Sequence, residues 1–246
     1  MLFPPIDPNE RFRELCHVLV PVPRRQPGTP VTRIYVAGIA MTVFGRHPER
    51  SLEDLAGEAL NRALADAGCT APQVGVAYYS GMTNGTLQGQ ISIPGQVIFS
   101  KIGIEGIPVY NVENACASGS SAFNLAVQSL KAGTADVALA IGAEKMNIPD
   151  KAKAFAIFEG GWDVSRADAN AAVLMRMGEG ITPPPGSESD KPYSKFMAIY
   201  AAFCRWHMKT YGTTQRQIAA VCAKNHQHSV HNPWSQFRKP FTVDEV

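Results

Sequence analysis

Cys116 is the residue of this chain best placed for covalent chemistry. It lies in the run Val109-Tyr-Asn-Val-Glu-Asn-Ala-Cys116-Ala-Ser-Gly-Ser-Ser-Ala122. The run reads as a short strand over Pro108 to Val112, a turn of small residues, and a helix from Ser118 to Ala132 that stops at Gly133. Cys116 then sits at or just before a helix N-terminus, where the field is positive and the first N–H groups have no intrahelical acceptor. A thiol so placed ionises more readily, and the thiolate is the nucleophile. The same N–H groups can hold a developing oxyanion. Ala117, Ser118, Gly119 and Ser120 are small enough to let a substrate carbonyl approach. Against this stands the common use of lone cysteines as core filler.

Other constellations carry less. His226-Gln-His228-Ser-Val-His231 has no carboxylate or cysteine in the same run. On a helix positions 226 and 228 diverge by about 200°, so no metal is expected and a solvated helix end explains the run. No Gly-x-Ser-x-Gly elbow and no dinucleotide fingerprint occurs. Gly81 to Gly89 lacks the Gly-Lys-Ser/Thr of a phosphate loop and reads as a flexible connection. Phe196, Ile199, Tyr200, Phe203, Trp206 and His207 share a helical face, which reads as core.

The elements that must position Cys116 follow from periodicity. Arg33 to Ala40 is apolar along its length and predicts a strand covered on both faces. Ser51 starts a helix that ends at Gly68, with Asp54 three residues on as a weaker version of the capping box. Val74 to Ser80 is the next strand, giving a strand–helix–strand unit with a right-handed crossover. Gln90 to Ile102 reads as a helix interrupted by Pro94, and Asp136 to Ile141 as another buried strand. In the Cys116 helix the inward positions are Ala122, Leu125, Ala126, Ser129 and Leu130. Alternating strands and helices make an α/β layered domain. Ligands in such sheets gather at the C-terminal ends of strands, and Cys116 follows one.

A second region starts near Pro149. Lys151 to Arg176 is poorly patterned, Gly160-Gly161-Trp162 is irregular, and Thr182-Pro-Pro-Pro-Gly186 is a stiff break. Phe196 to Tyr211 and Thr214 to Ser229 then read as two helices joined at Gly212. The divisions are an irregular extension over 1–30, an α/β half over 31–148 and a helical excursion over 149–246.

With 246 residues, 45% hydrophobic and 18% charged, the chain has the composition of a soluble globular protein. A net charge of +2 is too weak to argue for nucleic acid. Five cysteines with no CxxC pair argue for reduced thiols in the cytoplasm. No apolar run reaches membrane-spanning length, and Pro4, Pro5 and Pro8 interrupt any secretory pattern. Leu15 to Val22 is too short and poorly placed to supply one.

Asn111-Val-Glu-Asn-Ala-Cys116-Ala-Ser-Gly-Ser-Ser-Ala122, with Ala138-Leu-Ala-Ile-Gly142-Ala-Glu-Lys-Met146, resembles the nucleophile motif of the thiolase superfamily. Within it the chain most resembles sterol-carrier-protein-type thiolases and bacterial lipid-transfer thiolase-like proteins. Ala223-Lys-Asn-His-Gln-His-Ser-Val230 and Asn232-Pro-Trp-Ser-Gln-Phe237 extend the likeness, which covers roughly Val31 to Val246. It implies a thiolase-like α/β fold, first half only, with a mixed sheet and a loop-domain excursion that covers the site. The second half, with its His and Cys-x-Gly motifs, is absent, so the chain alone is expected to be inactive. The implied function is acyl transfer on lipid or steroid side-chain CoA thioesters through a Cys116 acyl-enzyme. Met146 is implied at the substrate pocket, coenzyme A as co-substrate, no bound cofactor, and a homo-oligomer. One alternative is a thiolase-like aldolase cleaving a 3-hydroxyacyl-CoA with a small OB-fold/zinc-ribbon partner. Another is a non-catalytic acyl-CoA-binding subunit.

Overall fold

The computed structural model describes residues 33–182 and 194–246. The expected extension over 1–30 and most of the proline break lie outside the described residues. In chain order the elements are α1 (Leu52–Ala67), β1 (Val76–Ser80), α2 (Asn84–Gln88), α3 (Pro94–Lys101), β2 (Val109–Val112), α4 (Ser118–Ala132) and β3 (Ala138–Gly142). After them come α5 (Lys151–Ala156), α6 (Ala167–Arg176), α7 (Lys195–Tyr211) and α8 (Gln215–Val230).

The strands form one parallel sheet in the order β2-β1-β3. Ala77 pairs with Val109 on one side and Leu139 on the other. The antiparallel member of a mixed sheet is not among the described strands. β1 is buried along its whole length because it is central and covered on both faces. Its side chains alternate between two cores. Ala77 and Tyr79 pack with Leu52, Ala56 and Leu60 of α1 and Ile98 and Phe99 of α3. Val76 and Tyr78 pack against Ala122 and Ala126 of α4. The two alanines, four residues apart, give α4 a smooth face that lies close on the sheet.

Local signals explain the helix ends. Ser51 Oγ accepts the Asp54 N–H and Asp54 Oδ2 accepts the Ser51 N–H, a full capping box. α1, α4 and α7 stop at Gly68, Gly133 and Gly212, all left-handed. Ser194 caps α7 by accepting the Met197 N–H, and Thr214 with Gln217 forms a capping box at the start of α8.

Four expectations need correction. Residues 33–40 form no strand and pair with none of the described strands, so the crossover from 33–40 through α1 to β1 is not completed. Gly38 explains this: a Cβ there would lie 2.3 Å from the Ala63 carbonyl oxygen of α1, and the neighbouring Ile39 N–H donates to Asp66 Oδ2 (2.8 Å). The segment is thereby held on the helix and not on the sheet. Gly81 to Gly89 is not a plain loop, since α2 forms within it on buried Asn84 and Leu87. The helix expected from Gln90 starts only at Pro94, because proline fits the first turn but not the interior. Leu125 does not face inward; it lies 40% exposed on the flank of α4.

In the second region α6 and α7 pack at Gly178, where a Cβ would lie 2.9 Å from Ala202 Cα. On α7, Phe196 stacks on Phe158 and continues to Tyr200 and Phe203. That stripe is only partly core: Ile199 is buried, while Tyr200 is half exposed. Among the described residues no helix is long and apolar enough to cross a membrane.

Candidate active site

Cys116 occupies a single 3-10 turn, Ala115–Ala117, between β2 and α4. The turn is strained. Ala115 has φ 45°, a left-handed conformation that costs a residue with a Cβ about 1–3 kcal/mol. A ring of hydrogen bonds holds it there. The Asn114 N–H donates to Ser118 Oγ (2.8 Å), and the Ser118 hydroxyl donates to the Ala115 carbonyl (2.7 Å). The Ala115 N–H donates to Glu113 Oε1 (2.6 Å), and Asn114 Nδ2 donates to Ser121 Oγ (3.0 Å). Ser118 itself is buried. The result is a thiol that points out of the fold at the head of a fifteen-residue helix. The first bond of the turn runs from the Ala117 N–H to the Asn114 carbonyl (2.9 Å). The Cys116 N–H lies ahead of it and has no acceptor within the turn.

A cavity of about 1280 Å³ opens beside this turn. Cys116, Ser118 and Gly119 line one part of it, and Met146 lines it too. The two residues expected at the site thus line one cavity. The remaining wall is apolar, from α1, α4, β3 and the segment 34–44. His47 also lines the cavity, and its Nε2–H donates to the Val43 carbonyl (2.8 Å).

The loops around the turn are tied by a residue that sequence reasoning passed over. Glu144 Oε1 accepts from the backbone N–H groups of Met82 and Thr83, the latter at 3.1 Å. It joins the loop after β1 to the loop after β3. Lys145 next to it donates to the backbone carbonyls of Pro48 and Arg50. Both stand in the Ala143-Glu-Lys-Met146 run that carries part of the resemblance, in which a role is implied for the methionine. Ser80 and Gly142 close the floor: a Cβ on Gly142 would lie 2.3 Å from Ser80 Oγ and 2.6 Å from the Ser80 carbonyl oxygen.

The histidine run lies elsewhere in the chain's packing. His226 meets the Phe241 ring edge-on and hydrogen-bonds the Lys239 carbonyl through Nδ1 (3.1 Å). Further along, the Trp234 carbonyl accepts from the Phe44 N–H (2.9 Å), and Arg62 of α1 stacks over the Trp234 ring. This brings the Asn232–Phe237 block against the segment that borders the cavity, and Gln236 reaches its lining. Cys69, Cys116, Cys204 and Cys222 are free thiols among the described residues.

Residues 34–245 match the family described as thiolase, N-terminal domain. The chain belongs to the thiolase family. It is 34% identical over 223 residues to sterol carrier protein 2 of Bos taurus, covering 87% of this chain and 36% of that one. It is 30% identical over 215 residues to an acetyl-CoA acetyltransferase of Methanothermobacter thermautotrophicus, covering 87% of this chain and 49% of that one. Among solved structures, the Ltp2-ChsH2(DUF35) aldolase shares the fold with a TM-score of 0.55 at 22% identity, over 85% of this chain and 46% of that one. The chain thus spans between a third and a half of the length of these relatives.

Proposed function

We propose that this chain supplies the nucleophile half of a thiolase-type acyltransferase that acts on CoA thioesters of lipid or steroid side chains. The observation that carries the reading is Cys116, an exposed thiol on a strained turn at the head of α4, beside the cavity that Met146 also lines. In the degradative direction the Cys116 thiolate attacks the ketone carbon of a 3-ketoacyl-CoA. The C2–C3 bond then breaks with its electron pair moving to C2. Protonation of C2 releases acetyl-CoA or propionyl-CoA and leaves the acyl group on Sγ. The thiol of coenzyme A takes that acyl group and returns its proton to the cysteine. In this reading the Cys116 N–H, which has no acceptor within its turn, stabilises the oxyanion that forms at the attacked carbonyl. Coenzyme A is a co-substrate here, and the acid and base that move the C2 proton come from the portion that the longer relatives possess. The test is intact-mass spectrometry of the protein from its native host after addition of a 3-ketoacyl-CoA. An acyl adduct that disappears in Cys116→Ala is expected; undiminished acyl transfer by that variant refutes the reading.

A second reading rests on the fold shared with the Ltp2-ChsH2(DUF35) aldolase. Here the protein cleaves a 3-hydroxyacyl-CoA by a retro-aldol step beside a small OB-fold/zinc-ribbon partner. Carbonyl product formed without added coenzyme A, and retained in Cys116→Ala, would select it over acyl transfer.

A further inference from the structure

The helical excursion is fastened to the first half near its two ends. It leaves at Pro149, just after Met146, and comes back at Trp234. Met146 lies at the first fastening and Gln236 at the second, and both line the Cys116 cavity. Between the ends the excursion packs on itself, through Gly178 against Ala202 and the aromatic run Phe158, Phe196, Tyr200 and Phe203. Among the described residues, and away from the crossing at 147–151, the hydrogen bond and the ring contact that tie it to the first half both fall on Trp234.

Each side of this contact is arranged in advance. On the excursion side, Arg238 donates to the Val230 carbonyl through Nε (3.3 Å) and Nη2 (3.0 Å), and the Trp234 N–H donates to Asn232 Oδ1 (3.0 Å). The block around Trp234 is thereby fixed to the end of α8. On the other side, Arg62 pairs with Glu58 Oε1 (3.1 Å), and Arg50 pairs with Glu58 Oε2 (2.8 Å). That chain steadies the Arg62 guanidinium, whose carbon sits 3.9 Å from the centre of the Trp234 ring. A planar guanidinium suits such stacking better than an ammonium. The Trp234 carbonyl accepts the Phe44 N–H (2.9 Å), and His47 closes 43–47 on itself through the Val43 carbonyl. Val43, Phe44 and His47 all line the cavity. One stacked cation and one backbone bond together are worth a factor of about 5–30 in an equilibrium. That is enough to hold two bodies together and small enough to let them part without unfolding either.

We propose that Trp234 is a latch. Closed on Arg62 and the Phe44 N–H, it fixes segment 43–47 and Gln236 at the rim of the Cys116 cavity. Released, it frees α8 and its attached block from the first half while both stay folded. Trp234 and Arg62 are positioning residues that act on the site through this rim. The latch stands on the geometry alone, and its effect on turnover rests on the acyl-transfer reading.

The test uses the protein from its native host as Arg62→Met, Arg62→Lys, Trp234→Leu and the double variant Arg62→Met with Trp234→Leu. Hydrogen exchange is read at the Phe44 amide, with the Tyr78 and Tyr79 amides of β1 as the measure of global stability. Phe44 exchange is expected to rise about 5–30-fold in Arg62→Met and less in Arg62→Lys, with Tyr78 and Tyr79 unchanged. Adding Arg62→Met to Trp234→Leu is expected to bring no further rise. Unchanged Phe44 exchange in Arg62→Met overturns the latch. So does an equal rise at Tyr78 and Tyr79, which marks a general loss of stability, or a full Arg62→Met effect in the Trp234→Leu background, which assigns Arg62 to Glu58 alone. With a 3-ketoacyl-CoA as substrate, KM is expected to rise about threefold or more in Arg62→Met with kcat within about twofold, and Arg62→Lys to restore most of the loss. A wild-type KM in Arg62→Met overturns the positioning role. A wild type that transfers no acyl group refutes the acyl-transfer reading instead, and the exchange result then decides the latch by itself.

Discussion

Tyr79 gives the most quantitative handle on this fold. Its ring is fully buried against Phe99, and its hydroxyl donates to the Ala143 carbonyl (2.9 Å) and accepts from Asn84 Nδ2 (2.6 Å). Burial is the main cause that pushes its pKa from 10.0 up to about 12, with the Glu144 and Glu53 carboxylates adding to it and the Asn84 and Ala143 hydrogen bonds opposing. An unfolded tyrosine ionises near 10 while this one stays neutral to about 12. Between those values the unfolded state binds fewer protons, so stability falls as pH rises. Two units at about 1.36 kcal/mol each give a loss of about 2.7 kcal/mol, complete once the pH passes the folded value. Tyr79→Phe removes this term but leaves the Asn84 amide without its acceptor, at a cost of about 1–3 kcal/mol. The expected outcome is a wild type more stable than the variant by about 1–3 kcal/mol up to pH 9, with the gap closing as pH approaches 12. Urea unfolding followed by circular dichroism at intervals from pH 8 to 12 measures it, and the other tyrosines and the thiols cancel in the difference. A gap that stays constant across that range refutes the reasoning.

Other perturbations test the site and its supports. Ser118→Ala removes both bonds that brace the Ala115 turn and should cost about 2 kcal/mol in unfolding experiments, with slower alkylation of Cys116 by iodoacetamide as the turn loosens. Glu144→Gln keeps the shape but weakens the charge-assisted bonds to Met82 and Thr83, so hydrogen exchange at residues 82 and 83 should rise with little change in the far-UV spectrum. Gly142→Ala drives a Cβ into the Ser80 backbone and should destabilise by about 1–3 kcal/mol; a neutral result would mean that β1 and β3 are not paired as described. The Lys101 ammonium beside Glu53 holds that carboxyl below the usual 4.5, so its stabilisation is present above that pH and lost as pH falls through the folded value. Lys101→Met should flatten that part of the acid unfolding profile, and an unchanged profile would count against the pair.

Periodicity and caps made most of the local structure legible. The Ser118–Ala132 helix, its stop at Gly133, the Ser51 capping box and the two helices joined at Gly212 follow from short-range rules that depend on neighbours in sequence. Residues 34–41 did not follow, because strand formation needs a partner, and the apolar run says nothing of where Gly38 will dock. α2 was missed because its reason is tertiary: Asn84 is drawn in by the Tyr79 hydroxyl. Cys116 and Met146 are named by the motif, and that both line one cavity required the fold. Glu144 was in plain view, but its partners are backbone N–H groups about sixty residues away, which no spacing rule reveals.

The position of β1 has a consequence for how the chain acquires its structure. β1 comes first among the described strands yet stands in the middle of the sheet, and its two partners follow much later, at Val109 and at Ala138. Each pairing closes a long loop before any ladder bond is gained, and such topologies form slowly. During synthesis Tyr78 and Tyr79 must wait without a sheet until Gly142 has emerged. The turn that carries Cys116 lies between the two late partners, so its geometry is set only when both have docked. A nascent chain stalled before Gly142 has emerged from the ribosome, with Cys116 already outside, should therefore lack the braced turn and be alkylated at Cys116 more slowly than the folded protein, and pulse labelling of stalled chains would reveal the moment at which the turn is locked.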